Sequence, residues 1–184
     1  MQVLKTRVEG LLLIEPDVYR DERGYFFEHY SRAKYEALGL IGEFVQDNCS
    51  LSQRGTIRGL HYQIDPGAQG KLTSVVHGRV LDVAVGVRFG SPTFGQYVAV
   101  ELSEENHVQF WIPPGFAHGF SVLSETVVFM YKCTSYYSKE HERSIRFDDP
   151  DLAIDWRVTD PIVSEKDLAA PYLRSIGKDG LSSW

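Results

Sequence analysis

The sequence is poor in cysteine and lacks long apolar runs. Cys49 and Cys133 are the only cysteines among 184 residues, and their separation does not match the ligand spacing of a zinc site. The apolar run nearest the N-terminus covers residues 11–14, which is too short for a secretion signal or a membrane span. We therefore expect a cytoplasmic protein whose two cysteines are buried thiols, although the sequence alone leaves a disulfide open.

Positively charged residues are fewer than negatively charged ones. Nineteen Lys and Arg residues stand against twenty-five Asp and Glu residues, which gives a net charge of −6. This balance argues against general binding to nucleic acid or to an anionic membrane, so an anionic ligand has to meet a local cluster of cations. With 43% hydrophobic and 24% charged residues, the chain has a globular composition, and we treat residues 1–184 as one domain.

The sequence does contain short runs in which apolar and polar residues alternate. In residues 80–88 every odd-numbered position is Leu or Val, the pattern of a strand with one buried face. Residues 127–137 alternate as well, which places Tyr131 and Tyr137 on one face of a regular strand. Sixteen glycines and eight prolines supply turns between such runs. Many short strands at this spacing predict an all-β jelly-roll sandwich or barrel.

Two segments interrupt the alternation and predict short peripheral helices. Residues 31–38 form the first helix, with Ser31 as the N-cap and Gly39 after the end. Residues 164–170 begin with Ser164 and resemble a capping box that opens a C-terminal helix, which Pro171 stops or kinks.

The segment Arg58-Gly59-Leu60-His61 carries the first candidate chemistry. Arg58 and His61 lie on opposite faces of a regular strand, and they come closer together if Gly59 forms a bulge. A lone histidine is more often a hydrogen-bonded core residue than a catalytic one, so His61 needs support from other motifs. The six histidines include no His-x-His or His-x-x-x-His pair, and we predict that no metal is bound.

Seven motifs, taken together and in order, resemble the dTDP-4-dehydrorhamnose 3,5-epimerase family. They are D-E-R-G at 21–24, F-V-Q-D-N at 44–48, R-G-L-H at 58–61, Q-G-K-L at 69–72, W-I-P-P-G-F-A-H-G-F at 111–120, Y-K-C at 131–133 and S-E-K-D at 164–167. Each motif alone is weak, but the set covers nearly the whole chain. The resemblance implies a cupin-type jelly roll, a homodimer with exchanged N-terminal strands, no metal or other cofactor, and a thymidine-diphosphate 4-keto-6-deoxy sugar as substrate.

The resemblance also implies roles for individual residues. The catalytic base falls on His61 with Asp167 as its carboxylate partner, the general acid on Tyr131, and the cation beside the sugar ketone on Lys71. Tyr137 matches the aromatic residue that stacks on thymine. The other expected substrate-binding positions are Arg23, Phe26, Glu28, Gln46, Asn48, Arg58, His118, Glu142 and Lys166, of which Arg23 and Glu28 act across the dimer interface. Asp82 matches a second aspartate near the catalytic histidine and ranks below Asp167.

These residue types suit the implied reaction. A ketone at C4 acidifies the hydrogens at C3 and C5, so inversion needs one group that removes a proton and another that returns one to the opposite face. An imidazole titrates near neutral pH, a phenol keeps its proton there, and an ammonium group stabilises the enolate oxygen.

Two departures from the family pattern and several alternatives remain at this point. Gly86 and Ser74 stand where relatives often carry Asp and Arg, and since neither position matches a catalytic role, we expect a changed local ion pair rather than lost activity. A single-centre epimerase, a related ketoisomerase, a non-catalytic sugar-binding cupin and a metal-dependent cupin enzyme are the competing interpretations.

Overall fold

The computed structural model describes residues 1–40 and 42–183, which form strands with a few short helices. The strands are β1 (Gln2–Lys5), β2 (Leu12–Glu15), β3 (Tyr19–Asp21), β4 (Gly24–Phe26), β5 (Gln46–Gln53), β6 (Ile57–Gln63), β7 (Lys71–His77), β8 (Arg79–Gly86), β9 (Arg88–Phe89), β10 (Tyr97–Ser103), β11 (Gln109–Ile112), β12 (Phe116–Val122), β13 (Thr126–Cys133), β14 (Glu142–Ser144) and β15 (Ser182–Ser183). The helices are α1 (Arg32–Ala37) and α2 (Glu165–Leu168), with 3₁₀ turns at Leu173–Ser175 and Lys178–Gly180.

Two antiparallel sheets pack face to face. One has the order β1-β2-β11-β7-β13-β5 and the other β10-β8-β12-β6-β14, while β3 with β4 and β9 with β15 form two small separate pairs. Between the sheets lies a core to which β11 and β13 contribute Phe110 and Phe129, and β8 and β12 contribute Val80 and Phe120. This architecture confirms the predicted all-β jelly roll with short peripheral helices.

Strand β8 shows why the alternation prediction was incomplete. Leu81, Val83 and Val85 do share a face, as predicted, but the opposite face is buried too. The inner face, with Val80 and Ala84, joins the core between the sheets. The outer face lies under the C-terminal segment. Both faces of β8, an interior strand of its sheet, are therefore covered.

Strand β13 is shorter than the alternation predicted. It ends at Cys133, and Tyr137 lies in the following loop, so the placement of Tyr131 and Tyr137 on one regular strand is wrong. The physical reason is the ladder, because Cys133 pairs with Gln46 and Lys71, the first residues of β5 and β7. Beyond Cys133 neither neighbour continues the sheet.

Strand β6 carries the bulge that Gly59 allowed. The register with β12 shifts between His118 and Phe120, and Gly59 has a φ of +124°. A Cβ at Gly59 would lie 2.5 Å from the Cα of Gly119, so a larger residue does not fit this close approach.

Both predicted helices are present. Ser31 precedes α1, although its side chain makes no capping hydrogen bond, and Gly39 follows the helix with a φ of +85°. Ser164 caps α2, where its Oγ accepts the backbone N–H of Asp167 at 3.1 Å. Among the described residues, no helix is long and apolar enough to cross a membrane.

The two cysteines are free, and only Cys133 is buried. The prediction of two buried thiols is therefore wrong for Cys49, which is exposed. Its strand, β5, is the edge strand of the six-stranded sheet, so it has a neighbouring strand on one side only.

Candidate active site

A cavity of about 740 Å³ opens beside strands β5, β6, β12 and β13 and the helix α2. It is lined by His61, Lys71, Tyr131 and Asp167, which the sequence predicted as catalytic, and by Asn48, Arg58, His118 and Lys166, predicted as substrate-binding. An adjoining space of about 300 Å³ shares His61, Lys71 and Tyr131 with it and adds Gln46, Tyr137 and Glu142. The structure therefore brings the imidazole, the ammonium and the phenol to one place.

His61 is held by a carboxylate from the opposite end of the sequence. Its Nε2 lies 2.6 Å from Oδ1 of Asp167, and the other oxygen of Asp167 accepts the backbone N–H of Gly59 at 3.3 Å. A proton on Nε2 satisfies the carboxylate and leaves Nδ1 of His61 as the nitrogen that can accept another proton.

The electrostatics of Asp167 favour this arrangement. Burial by itself raises the pKa of the Asp167 carboxyl, but the hydrogen bond and charge of His61, together with the hydrogen bonds of Gly59 and Ser164, outweigh it and hold the pKa below its usual value. Asp167 is therefore a carboxylate at neutral pH, in hydrogen-bonding contact with the His61 ring.

Lys71 is a buried amine at the first position of β7. Its Nζ donates to the backbone oxygen of His61 at 3.4 Å and lies 5.8 Å from the centre of the Tyr131 ring. Burial lowers the pKa of Lys71, while Cys133, Asp82 and Glu142 act in the opposite direction. Among the described residues Lys71 forms no ion pair, and its amine borders both cavities that contain His61.

Tyr131 lies on β13 and faces the core between the sheets. Its ring centre is 6.1 Å from that of Phe129 and 6.4 Å from that of His118. Burial raises the pKa of the Tyr131 hydroxyl. The phenol therefore keeps its proton at neutral pH, as a general acid requires.

His118 forms a second histidine–carboxylate pair, inside the barrel. Its Nε2 lies 2.6 Å from Oδ1 of Asp82, and the hydroxyl of Thr73 donates to Oδ2 of Asp82, also at 2.6 Å. Burial lowers the pKa of His118 although Asp82 raises it. His118 is thus a neutral side chain that borders the cavity.

The other polar side chains around the two cavities are joined by ion pairs and hydrogen bonds. Lys166 contacts Glu142 at 2.6 Å, and the Tyr137 hydroxyl donates to the same carboxylate at 3.1 Å. Arg58 donates from Nε to the hydroxyl of Ser52 at 3.0 Å. Together with Lys71, Arg58 and Lys166 bring positive charge to the cavity of an acidic protein.

Three predicted substrate-binding residues lie away from this cavity in the single chain. Arg23 and Phe26 belong to the β3–β4 hairpin, where the Arg23 side chain is 85% exposed and pairs with Asp21, and Phe26 is 70% exposed. Glu28 pairs with Lys34 at 2.9 Å. Neither cavity that contains His61 is lined by any of them.

The two departures from the family pattern also lie outside these cavities. Ser74 points to His29, with 3.1 Å between Oγ and Nε2. A Cβ at Gly86 would lie 2.5 Å from the backbone oxygen of Thr93, so this position has no space for a side chain. Neither Ser74 nor Gly86 lines the two cavities that contain Lys71.

Sequence reasoning missed the glutamines that border the smaller cavity. Gln63 and Gln69 line it, and Gln63 lies two residues after His61 on the same strand. Because alternate residues of a strand share a face, the side chains of His61 and Gln63 could have been placed on one face of β6 from the sequence.

The described residues contain no group of three His, Cys, Asp or Glu side chains arranged to hold a metal.

The chain is similar to known proteins over nearly its whole length. The model of the family described as dTDP-4-dehydrorhamnose 3,5-epimerase matches residues 5–175. The dTDP-4-dehydrorhamnose 3,5-epimerase of Pseudomonas aeruginosa is 54% identical over 169 residues, which are 91% of this chain and 93% of that protein.

Solved structures of epimerases are also similar to this chain in fold and sequence. The 3,5-epimerase from Legionella pneumophila in complex with dTDP-4-keto-L-rhamnose has 52% identity and a TM-score of 0.96, covering 100% of this chain and 98% of that one. ChmJ, a 3'-monoepimerase from Streptomyces bikiniensis in complex with dTDP-quinovose, has 33% identity and a TM-score of 0.91, covering 97% and 91%. With these matches over nearly its whole length, the chain belongs to the dTDP-4-dehydrorhamnose 3,5-epimerase family.

Proposed function

We propose that this chain is an isomerase that inverts dTDP-4-dehydro-6-deoxy-D-glucose at C3 and C5 and forms dTDP-4-dehydro-L-rhamnose. The observation that carries the proposal is the meeting of His61, Lys71 and Tyr131 around one cavity. The relative from Legionella pneumophila, whose structure contains dTDP-4-keto-L-rhamnose, supports the choice of sugar.

In the proposed mechanism His61 removes the proton next to the C4 ketone. The electrons of the broken C–H bond form the enolate, whose negative oxygen lies against the Lys71 ammonium. Tyr131 then gives its hydroxyl proton to the opposite face of the same carbon, and the enolate returns to the ketone. Water reprotonates the phenolate and takes the proton from His61, so the cycle needs only proton transfers and no change in oxidation state.

Substrate binding divides between the two connected spaces. The sugar lies between His61 and Tyr131, and the diphosphate meets Arg58 and Lys166, since phosphate oxygens bind guanidinium and ammonium groups strongly. Gln46, Asn48, His118 and Glu142 supply further polar contacts. The thymine stacks on Tyr137, whose exposed ring is available to a flat partner.

Isotope exchange tests the reaction. Incubation of the enzyme with dTDP-4-dehydro-6-deoxy-D-glucose in D₂O is expected to place deuterium at both C3 and C5, which NMR resolves. Label at one carbon only would select a single-centre epimerase, a candidate favoured by the similarity to the 3'-monoepimerase ChmJ. If neither carbon takes up label, the result would contradict an epimerase on this sugar. Metal analysis of the same sample tests the metal-free proposal, which stoichiometric metal required for activity would overturn.

The proposal includes a homodimer, since the single chain leaves the β3–β4 hairpin projecting with Tyr19, Tyr25 and Phe26 exposed. Strand β5 offers a free sheet edge with Leu51 exposed, the kind of edge that pairs with another chain. In such a dimer the hairpin brings Arg23, Phe26 and Glu28 to the partner's cavity. The enzyme works in the cytoplasm in this proposal, because a charged nucleotide sugar does not diffuse across a bilayer.

Complementation between inactive chains tests the exchange. Coexpressed His61→Asn and Arg23→Ala chains form mixed dimers in which one site has both wild-type residues, if Arg23 acts on the partner. Recovery of activity above that of either variant is the expected result. Activity no higher than that of the separate variants, with mixed dimers verified by tag purification, would place Arg23 in its own chain's site or outside both.

A further inference from the structure

Gln63 contacts the loop that carries Tyr137. It is 4% exposed and lies on β6, two residues after His61. Its Oε1 accepts the backbone N–H of Ser138 at 2.7 Å. Its Nε2 donates to the backbone oxygen of Tyr136 at 3.2 Å and also to that of Gly67.

A second amide completes the contact from the neighbouring sheet. Oε1 of Gln46, on β5, accepts the backbone N–H of Tyr137 at 2.9 Å. Consecutive backbone groups on residues 136, 137 and 138 are thus held by two side chains from two different strands. Tyr137 is 54% exposed, so its position depends on this backbone and on the hydrogen bond from its hydroxyl to Glu142 more than on packing of the ring.

We propose that Gln63 is a positioning residue which fixes the Tyr137 loop for the nucleobase and ties it to the strand that holds the catalytic base. The inference rests on the proposed stacking of thymine on Tyr137. Because His61 and Gln63 belong to one strand, the distance between the base that moves protons and the platform for the nucleotide is set by β6. A loop fixed before binding loses less entropy when the nucleotide binds.

The variant Gln63→Met keeps the length of the side chain and removes all three hydrogen bonds. Calorimetry is expected to show dTDP binding weakened about tenfold, because the loop is no longer fixed in the free protein and has to be ordered when the nucleotide binds. The KM rises in proportion, while kcat stays within about threefold because the chemical groups are untouched.

The double variant with Tyr137→Ala separates positioning from a general structural effect. Tyr137→Ala alone should weaken dTDP binding roughly ten- to a hundredfold, the range for loss of one stacked base. In that background Gln63→Met should change the affinity by less than about twofold, since two residues that act as a unit are not additive. Equal losses in both backgrounds, or no loss in either, would overturn the proposal.

Gln109→Met is the matched control. Gln109 is fully buried and makes two comparable hydrogen bonds, to the Tyr35 hydroxyl at 2.6 Å and to the backbone oxygen of His29 at 2.8 Å, but it does not reach residues 136–138. This variant should lose stability and keep its dTDP affinity. An equal loss of affinity in Gln109→Met would show that any softened core weakens binding, against the proposal. Failure of wild-type protein to bind dTDP, or full affinity in Tyr137→Ala, would instead contradict the proposed function.

Discussion

The two histidine–carboxylate pairs have the same contact and different surroundings. Both His61–Asp167 and His118–Asp82 have Nε2 and Oδ1 at 2.6 Å. The side chain of His61 is 31% exposed, whereas that of His118 is 6% exposed. An imidazole can take a proton from substrate only where substrate and water reach it, so equal geometry does not imply equal function.

The carboxylates differ as well in how the chain supplies them. Asp82 comes from β8, the neighbour of β12 in the sheet, and its second oxygen is satisfied by Thr73. Asp167 comes from the short helix α2, outside the barrel. The His118–Asp82 pair lies within the hydrogen-bonded interior of the sheets. The His61–Asp167 pair, in contrast, depends on the packing of the C-terminal segment beside the cavity.

The largest expected effect is that of His61→Asn. Loss of the base should lower kcat by about 10⁴-fold, the upper end for a general base, and abolish exchange at both carbons. Deuterium exchange by NMR and dTDP calorimetry check this, with nucleotide affinity expected to stay near wild type. Exchange retained at either centre would remove His61 from that proton transfer and break the contrast between the two pairs.

Lys71→Met comes next, because the Lys71 amine donates to the backbone oxygen of His61 and lines the cavity that both histidines border. Removal of the cation beside the enolate oxygen should cost about 3–4 kcal/mol of transition-state stabilisation, comparable to one oxyanion-hole donor. Steady-state kinetics should show the loss in kcat with a smaller change in KM. A variant with wild-type kcat would show that another group carries the enolate charge.

The paired variants Asp167→Asn and Asp82→Asn sharpen the comparison directly. Asp167→Asn keeps an oxygen for His61 but removes the charge that stabilises the imidazolium, and kcat should fall roughly 10²-fold. Asp82→Asn should instead lower the free energy of unfolding by about 1–3 kcal/mol, because it weakens a buried network. Steady-state kinetics and denaturant unfolding of both variants test whether Asp167→Asn mainly lowers kcat and Asp82→Asn mainly lowers stability. The opposite pattern, with Asp82→Asn the slower enzyme, would assign the catalytic pair to His118.

The smallest expected effect is a shift of the alkaline limit of activity. Burial lowers the pKa of Lys71, so its ammonium is present below that pKa and is lost as the pH rises through it. Tyr131 has a raised pKa and keeps its proton to higher pH. The alkaline limb of kcat/KM should therefore lie below the usual range of a lysine. Lys71→Arg should lack this limb, and an unchanged limb in that variant would assign it to another group.

Much of the fold was readable from the sequence because alternation and turn residues are local signals. The limits appeared where neighbours decide, as at Cys133, where β13 ends because β5 and β7 provide no further partners. Gln63 was missed for a similar reason. A glutamine has no chemistry of its own in the sequence, and its importance lies in the backbone groups of a loop far along the chain.

The sequence by itself determined the kinds of groups present and their order: an imidazole, an ammonium, a phenol and a carboxylate in motifs of one family. Tertiary structure decided which histidine is open to a ligand, which carboxylate holds it, and how the Tyr137 loop is fixed. The physical reason is that access, burial and hydrogen bonding depend on residues distant in sequence, here 106 positions apart for His61 and Asp167. Only packing of the C-terminal helix against the bulged strand β6 brings that pair into contact.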